Sequence, residues 1–321
     1  MTEEIGASVS VETVSRSGGR RALKIAVIVL LELVLLGAGL FAGFLYGRAT
    51  APQAEIPAEY MTIEAIREYY EPSAADAEKS VAEFVADGDY YGLFGRVYHT
   101  LLMQTDVYMR SSGYTDSLNT VKVTIESEKK LGGGFMHWAM RSTGDSMADK
   151  TTFTLDGYFN IEEKFVKIKR YDNKGNGEEK NGKEQSELAY IAKYGLLPFA
   201  FSNYSVTEET LLSAVLKEEE GLYALELELD PVGATEGYAV QMRGMSGQNA
   251  AFDGGSVLYT LYFGEDFILR KTNTREKYFI DYGFSIACDA VMDEEYFYSG
   301  EEGFSALTEE EKYENILPDD R

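Results

Sequence analysis

VKVTIE, residues 121–126, is the stretch that decides the fold. Val121, Val123 and Ile125 alternate with Lys122, Thr124 and Glu126, the two-residue period of a strand with one buried face. The same period returns along the chain. Met136, Trp138 and Met140 alternate with His137, Ala139 and Arg141, and Leu225, Leu227 and Leu229 with Glu226 and Glu228. Val257, Tyr259, Leu261 and Phe263 run into Gly264-Glu265-Asp266, and a strand over 284–292 closes the series. Phe153 and Leu155 lead into Asp156-Gly157, a dipeptide that reads as a hairpin turn. Val166 and Ile168 follow among lysines. Seven or eight strands joined mostly by short connections predict a largely antiparallel, twisted sheet.

Helical spacing brackets this sheet. Ala77, Val81, Phe84 and Val85 predict a helix over 76–86; Leu93, Val97, Leu101 and Val107 predict another over 90–109. A break at 186–217 reads as two more helices, SELAYIAKYG and SVTEETLLSAVLKEE, the second opened by the capping box Ser205-x-x-Glu208 or by Thr207. Between them Leu196, Leu197, Pro198, Phe199, Ala200 and Phe201 form a connector too apolar to be left in water, expected to dock on the sheet as a lid. Several strands are apolar on both faces, so the 75–110 helices are expected on one side and the 186–217 insertion on the other. Residues 231–255 read as irregular, and Thr308-x-x-Glu311 caps a last short helix. The fold class is α+β.

Location follows from IAVIVLLELVLLGAGLFAGFLY, residues 25–46. At 1.5 Å per residue this makes a helix of about 33 Å, enough to cross a bilayer core of about 30 Å. Arg16, Arg20, Arg21 and Lys24 precede it, and after Arg48 no Lys or Arg appears until Arg67, which places residues 1–24 in the cytoplasm and the rest outside. The apolar run is far longer than a signal-peptide h-region. The expected plan is a cytoplasmic tail at 1–24, a transmembrane helix at 25–46 and a Pro/Ala-rich stalk at 47–59. An extracytoplasmic domain at 60–292 and an acidic tail at 293–321 complete it. Glu32, Leu36, Gly39 and Gly43 share one face of the span. The Gly39/Gly43 pair permits close helix approach, and a carboxylate at that depth favours a partner, a second copy or a membrane protein.

Composition narrows the partners. Residues 1–50 carry one more basic than acidic side chain, so the chain's net −24 falls on the remainder as −25. Such a domain repels nucleic acid and anionic headgroups. The single cysteine, Cys288, excludes an internal disulfide and fits a bacterial envelope. No catalytic motif appears. The two histidines, His99 and His137, are far apart in sequence, Gly244-Met245-Ser246-Gly247-Gln248 lacks the closing glycine of a nucleophile elbow, and Ser127-Glu128-Lys129-Lys130 sets Ser127 and Lys130 on opposite faces of a strand. No metal or cofactor set is expected, because Lys174 and Lys183 stand where the 172–183 loop would need calcium ligands.

The order of elements over residues 75–292 (helices, an antiparallel meander, a helical insertion laid across it, closing strands) resembles the half-barrel folds of LolA/LppX-like envelope lipoproteins. The resemblance implies a curved sheet around an apolar groove that holds acyl chains or docks a protein, with Trp138, Met140, Leu196, Leu197, Phe199 and Phe201 as groove or lid. The heavy acidic load and the membrane helix depart from that family. The expected function is a non-enzymatic, membrane-anchored extracytoplasmic binding module for an apolar or lipid ligand or an envelope protein. The alternative is a sensory or assembly subunit acting through its transmembrane helix. A third reading, a hydrolase built on a carboxylate dyad, requires two facing Asp or Glu that sequence alone does not show.

Overall fold

The computed structural model describes residues 58–313 apart from 118–120, 147–149, 173–179, 182–184, 198–199, 248 and 282–284. Among these residues no helix is long and apolar enough to cross a membrane. The span expected at 25–46, with Glu32, Leu36, Gly39 and Gly43, lies outside the described residues.

Three helices come first: α1 (Ile63–Tyr69), α2 (Val81–Asp87) and α3 (Tyr90–Leu102). Each starts where a side chain replaces a missing intrahelical acceptor. Thr62 caps α1, Ser80 and Glu83 form a capping box on α2, and Asp89 accepts from the Gly92 N–H at 2.8 Å on α3. Helix α3 stops at Leu102, short of the expected 109, because Val107 already pairs in the sheet.

The sheet then runs β1 (Val107–Ser117), β2 (Val121–Gly132), β3 (Phe135–Ser146), β4 (Lys150–Asn160) and β5 (Phe165–Asp172), with two-residue strands β6 (Lys180–Asn181) and β7 (Gln185–Ser186) beside β5. Helix α4 (Glu187–Tyr194) and the apolar connector lead across to β8 (Leu211–Glu219) and β9 (Leu222–Leu229). Helix α5 (Glu236–Ser246), strands β10 (Ala250–Phe263), β11 (Leu269–Asp281) and β12 (Ser285–Tyr298), and helix α6 (Glu309–Tyr313) complete the fold. All pairings are antiparallel, and the spatial order is β6-β5-β4-β3-β2-β1-β12-β11-β10-β9-β8. The first and last long strands therefore meet in the middle of one open sheet. The chain crosses from one side of the strand order to the other between β5 and β8, and the insertion makes that crossing.

Five expectations are corrected. Residues 211–219 form an edge strand, not a helix. Glu220 (φ 54°) and Gly221 (φ 83°) make the tight turn that folds them back on β9. Asp156-Gly157 is no turn but the middle of β4, where Gly157 lies opposite Trp138 and Asp156 is fully buried on the other face. The 231–255 stretch holds α5. Finally, both expected covers lie on the same side. Leu93, Phe94, Val97 and Leu101 of α3 share one core with inner residues of β3–β5 and β9–β11, while the outer face meets α6 at β3 and β4. Strand β12 also runs to Tyr298, past the expected boundary at 292.

Three glycines set the insertion and the groove floor. Gly195 ends α4 in the left-handed region (φ 77°), and a Cβ on Gly237 of α5 would lie 2.4 Å from the Gly195 oxygen, so the two helices cross with backbones in contact. On the floor, a Cβ on Gly113 would lie 2.2 Å from the Val291 oxygen.

Candidate functional site

Strand register decides which side chains face the groove. On β2 these are Val121, Val123, Ile125, Ser127, Lys129 and Leu131, and on β3 Met136, Trp138, Met140 and Ser142, which lie opposite Leu131, Lys129, Ser127 and Ile125 in turn. Ser111, Thr115 and Ser117 of β1 join them, followed by Cys288, Ala290, Met292 and Glu294 of β12 and Thr272, Thr274, Glu276 and Tyr278 of β11. The ends of the groove are apolar, and its middle is polar. That middle is built from hydroxyls, two carboxylates and one ammonium.

A cavity of about 210 Å³ opens over this floor. Trp138, Met140, Ile125 and Met292 give it apolar walls, Tyr238 and Met242 of α5 roof it, and Ser111, Ser127, Lys129, Asn203 and Glu294 supply the polar groups. A smaller one of about 50 Å³ shares Lys129, Glu294, Asn203 and Tyr238, and adds Phe201, Tyr204, Tyr259 and Glu276. A third, of about 180 Å³, lies between α1, α3 and the connector, walled by Met61, Ile66, Tyr70, Tyr98, Leu196 and Leu197.

Hydrogen bonds fix most of the polar middle. Ser111 and Ser127 face each other at 2.5 Å between their oxygens. Glu294 accepts from the Thr272 hydroxyl at 2.7 Å and the Tyr296 hydroxyl at 3.0 Å. Tyr204, on the connector, donates to Glu276, and Tyr70 donates to the Val206 oxygen at 2.7 Å, tying α1 to the same segment. Burial pushes the Glu276 carboxyl up to about 7, against the pull of the Tyr204 hydrogen bond. Burial likewise raises the phenols of Tyr98, Tyr204, Tyr238, Tyr259 and Tyr296, so at neutral pH they are neutral donors. Lys129 donates to the Ala200 oxygen, and burial draws its ammonium below the usual lysine range, with Glu294 partly restoring it.

Glu276 and Glu294 do not form a dyad. Glu276 pairs with Ala290, four residues before Glu294, so the two are offset by roughly 13 Å along the strands. That spacing rules out a proton shared between them.

Of the residues singled out from sequence, Trp138 and Met140 line the cavity of about 210 Å³, Phe201 the one of about 50 Å³, and Leu196 and Leu197 the separate one near α1. Phe199 lies outside the described residues. The sequence reading missed Lys129, Glu276 and Glu294. Each is a charge in the inward phase of an alternating strand, and that was the signal available. Ser127 and Lys130 do face opposite ways, whereas Ser127 and Lys129 share the groove face. Among the described residues no cluster of His, Cys, Asp or Glu is arranged to hold a metal.

No protein-family model and no curated protein matches the chain. Among solved structures it is similar to the S-type phycobiliprotein lyase CPES from Guillardia theta, at 12% identity over 71% of this chain and 99% of the other, with a TM-score of 0.20. It is also similar to a β-barrel-like protein of a domain of unknown function from Brucella abortus, at 8% identity over 60% and 98%, with a TM-score of 0.22. Overlap this slight carries no argument about ligand or activity.

Proposed function

We propose that this chain is a membrane-anchored, extracytoplasmic binding module of a bacterial envelope, with a half-barrel of the LolA/LppX-like kind whose groove holds a ligand with a substantial apolar part. The carrying observation is the cavity of about 210 Å³ between the sheet floor and α5, walled by Trp138, Met140, Ile125 and Met292. Well-packed interiors leave few voids larger than a water molecule, and a concave, mostly apolar chamber with a few placed polar groups is the usual form of a small-molecule site. The anchor rests on residues 25–46 and the positive charge before them. The roughly 13 Å offset of Glu276 and Glu294 along the strands supports a binding role for the groove.

The test is native mass spectrometry of full-length protein extracted gently from its host membrane. A bound mass that organic solvent releases is expected. Protein that arrives ligand-free, and takes up no lipid when incubated with host lipid extract, overturns the reading.

A further inference from the structure

The groove also says which end of its ligand is charged, an inference that rests on the binding role just proposed. Lys129 projects from β2 into the space shared by the two floor cavities. Its hydrogen bond goes to a backbone carbonyl, that of Ala200. Among the described residues it forms no ion pair, and the nearby Glu294 is already engaged by Thr272 and Tyr296. Lys129 is half-buried, and a charge partly withdrawn from water with no carboxylate in ion-pair distance is under-compensated. Lys129 has donors left over, and they face the cavity.

The surroundings narrow the counter-ion. Ser111 and Ser127 are hydrogen-bonded to each other beside Lys129, and the one hydroxyl hydrogen that bond leaves free can be donated to an oxyanion. Trp138, Met140 and Ile125 form an apolar wall directly beyond. Glu294, on the neighbouring β12 across from Ser111, disfavours a multiply charged phosphate, because one lysine cannot offset both it and a dianion. The chamber's volume of about 210 Å³ suits one chain, not two.

We propose that the groove takes a single-chain carboxylic acid, with its carboxylate on Lys129 and its chain against Trp138 and Met140. The acid completes the ion pair that the fold leaves open.

Trp138 is the one tryptophan of the chain, so its emission reports occupancy without a label. Full-length protein in phosphatidylcholine vesicles at pH 8 is titrated with dodecanoate, dodecanol or dodecyltrimethylammonium. Dodecanoate is expected to shift the emission with an affinity about tenfold above that of dodecanol, the size of one charge-assisted contact. The ammonium should bind no better than the alcohol. Lys129→Met should lose the preference while still taking dodecanol, and Lys129→Arg should keep it. If dodecanol equals dodecanoate, if the ammonium wins, or if Lys129→Met keeps the preference, the acid end is wrong and the groove reading stands. If no probe shifts Trp138, both fall. The comparison of headgroups on the unaltered protein decides even where a variant fails to fold.

Discussion

Lys129 and Lys130 are neighbours on one strand and live in opposite circumstances. Lys130 points to the outer face, under α6, where its ammonium meets Glu311 at 2.7 Å with both side chains about a tenth exposed. That carboxylate also accepts from the Thr308 N–H at 2.9 Å, and His137, 3.9 Å away, meets Asp156 at 2.8 Å through its other nitrogen. Burial works against the charge on Glu311, yet the hydrogen bonds from Lys130 and Thr308 hold its carboxyl below the usual range. Lys129, one residue earlier, points into the groove with a carbonyl for a partner and no carboxylate. One buried lysine completes the fold, and the other is left for something that enters. The contrast separates a polar cluster that closes a structure from one that opens a site.

Substitution should separate the two faces in order of effect. Lys130→Met strands a buried Glu311 beside Asp156, and removing one partner of such a pair costs about 3–5 kcal/mol. Urea unfolding should show that loss, and protease should cut sooner near α6. An unchanged midpoint would mean that the outer cluster contributes nothing.

The groove carboxylate comes next. Glu276 titrates at about 7 in the fold against an ordinary 4.5, so between those values the folded state holds a proton that the unfolded chain has released. Stability therefore falls as pH rises from 4.5 to 7, by up to about 3 kcal/mol, and is not regained above it. In Glu276→Gln this fall should be absent, read as the difference between the two proteins' denaturation curves over that window. Parallel curves would remove the argument for a buried, neutral Glu276.

The smallest effect has the opposite sign. Lys129→Met replaces a half-buried charge that has no ion pair with an apolar chain of similar length, and the ligand-free protein should be unchanged or gain about 1 kcal/mol. A loss as large as that of Lys130→Met would show that Lys129, too, is a structural partner.

How far the sequence reached follows the same division. Strands β2, β3, β9 and β10 were legible because apolar and polar side chains alternate on them. Strand β1 was hidden, because Val107 and Met109 fit the helical spacing before them and the rest of the same face carries Ser111, Gly113, Thr115 and Ser117. The turn at Glu220-Gly221 lacks the Asn-Gly or Asp-Gly signature, so β8 looked like a helix with Leu211, Val215 and Leu216 at helical spacing. Asp156-Gly157 carried the signature without the turn, because pairing with His137 and Trp138 overrode it. The capping box at Thr308 and Glu311 was visible, but not that the same glutamate would reach Lys130. The site itself was least legible: Lys129 and Glu294 look like ordinary surface charges until register turns them inward.

Ligand-linked stability tests the central claim most directly. A ligand that binds the native state raises stability by mass action, so saturating dodecanoate should raise the unfolding midpoint of the full-length protein and of Lys130→Met by the same increment. The tenfold weaker binding expected of Lys129→Met should cut its gain by about 1.4 kcal/mol. If Lys129→Met gains as much as the parent, the unpaired lysine is not the seat of the ligand's charge, and the contrast between the two lysines says nothing about function.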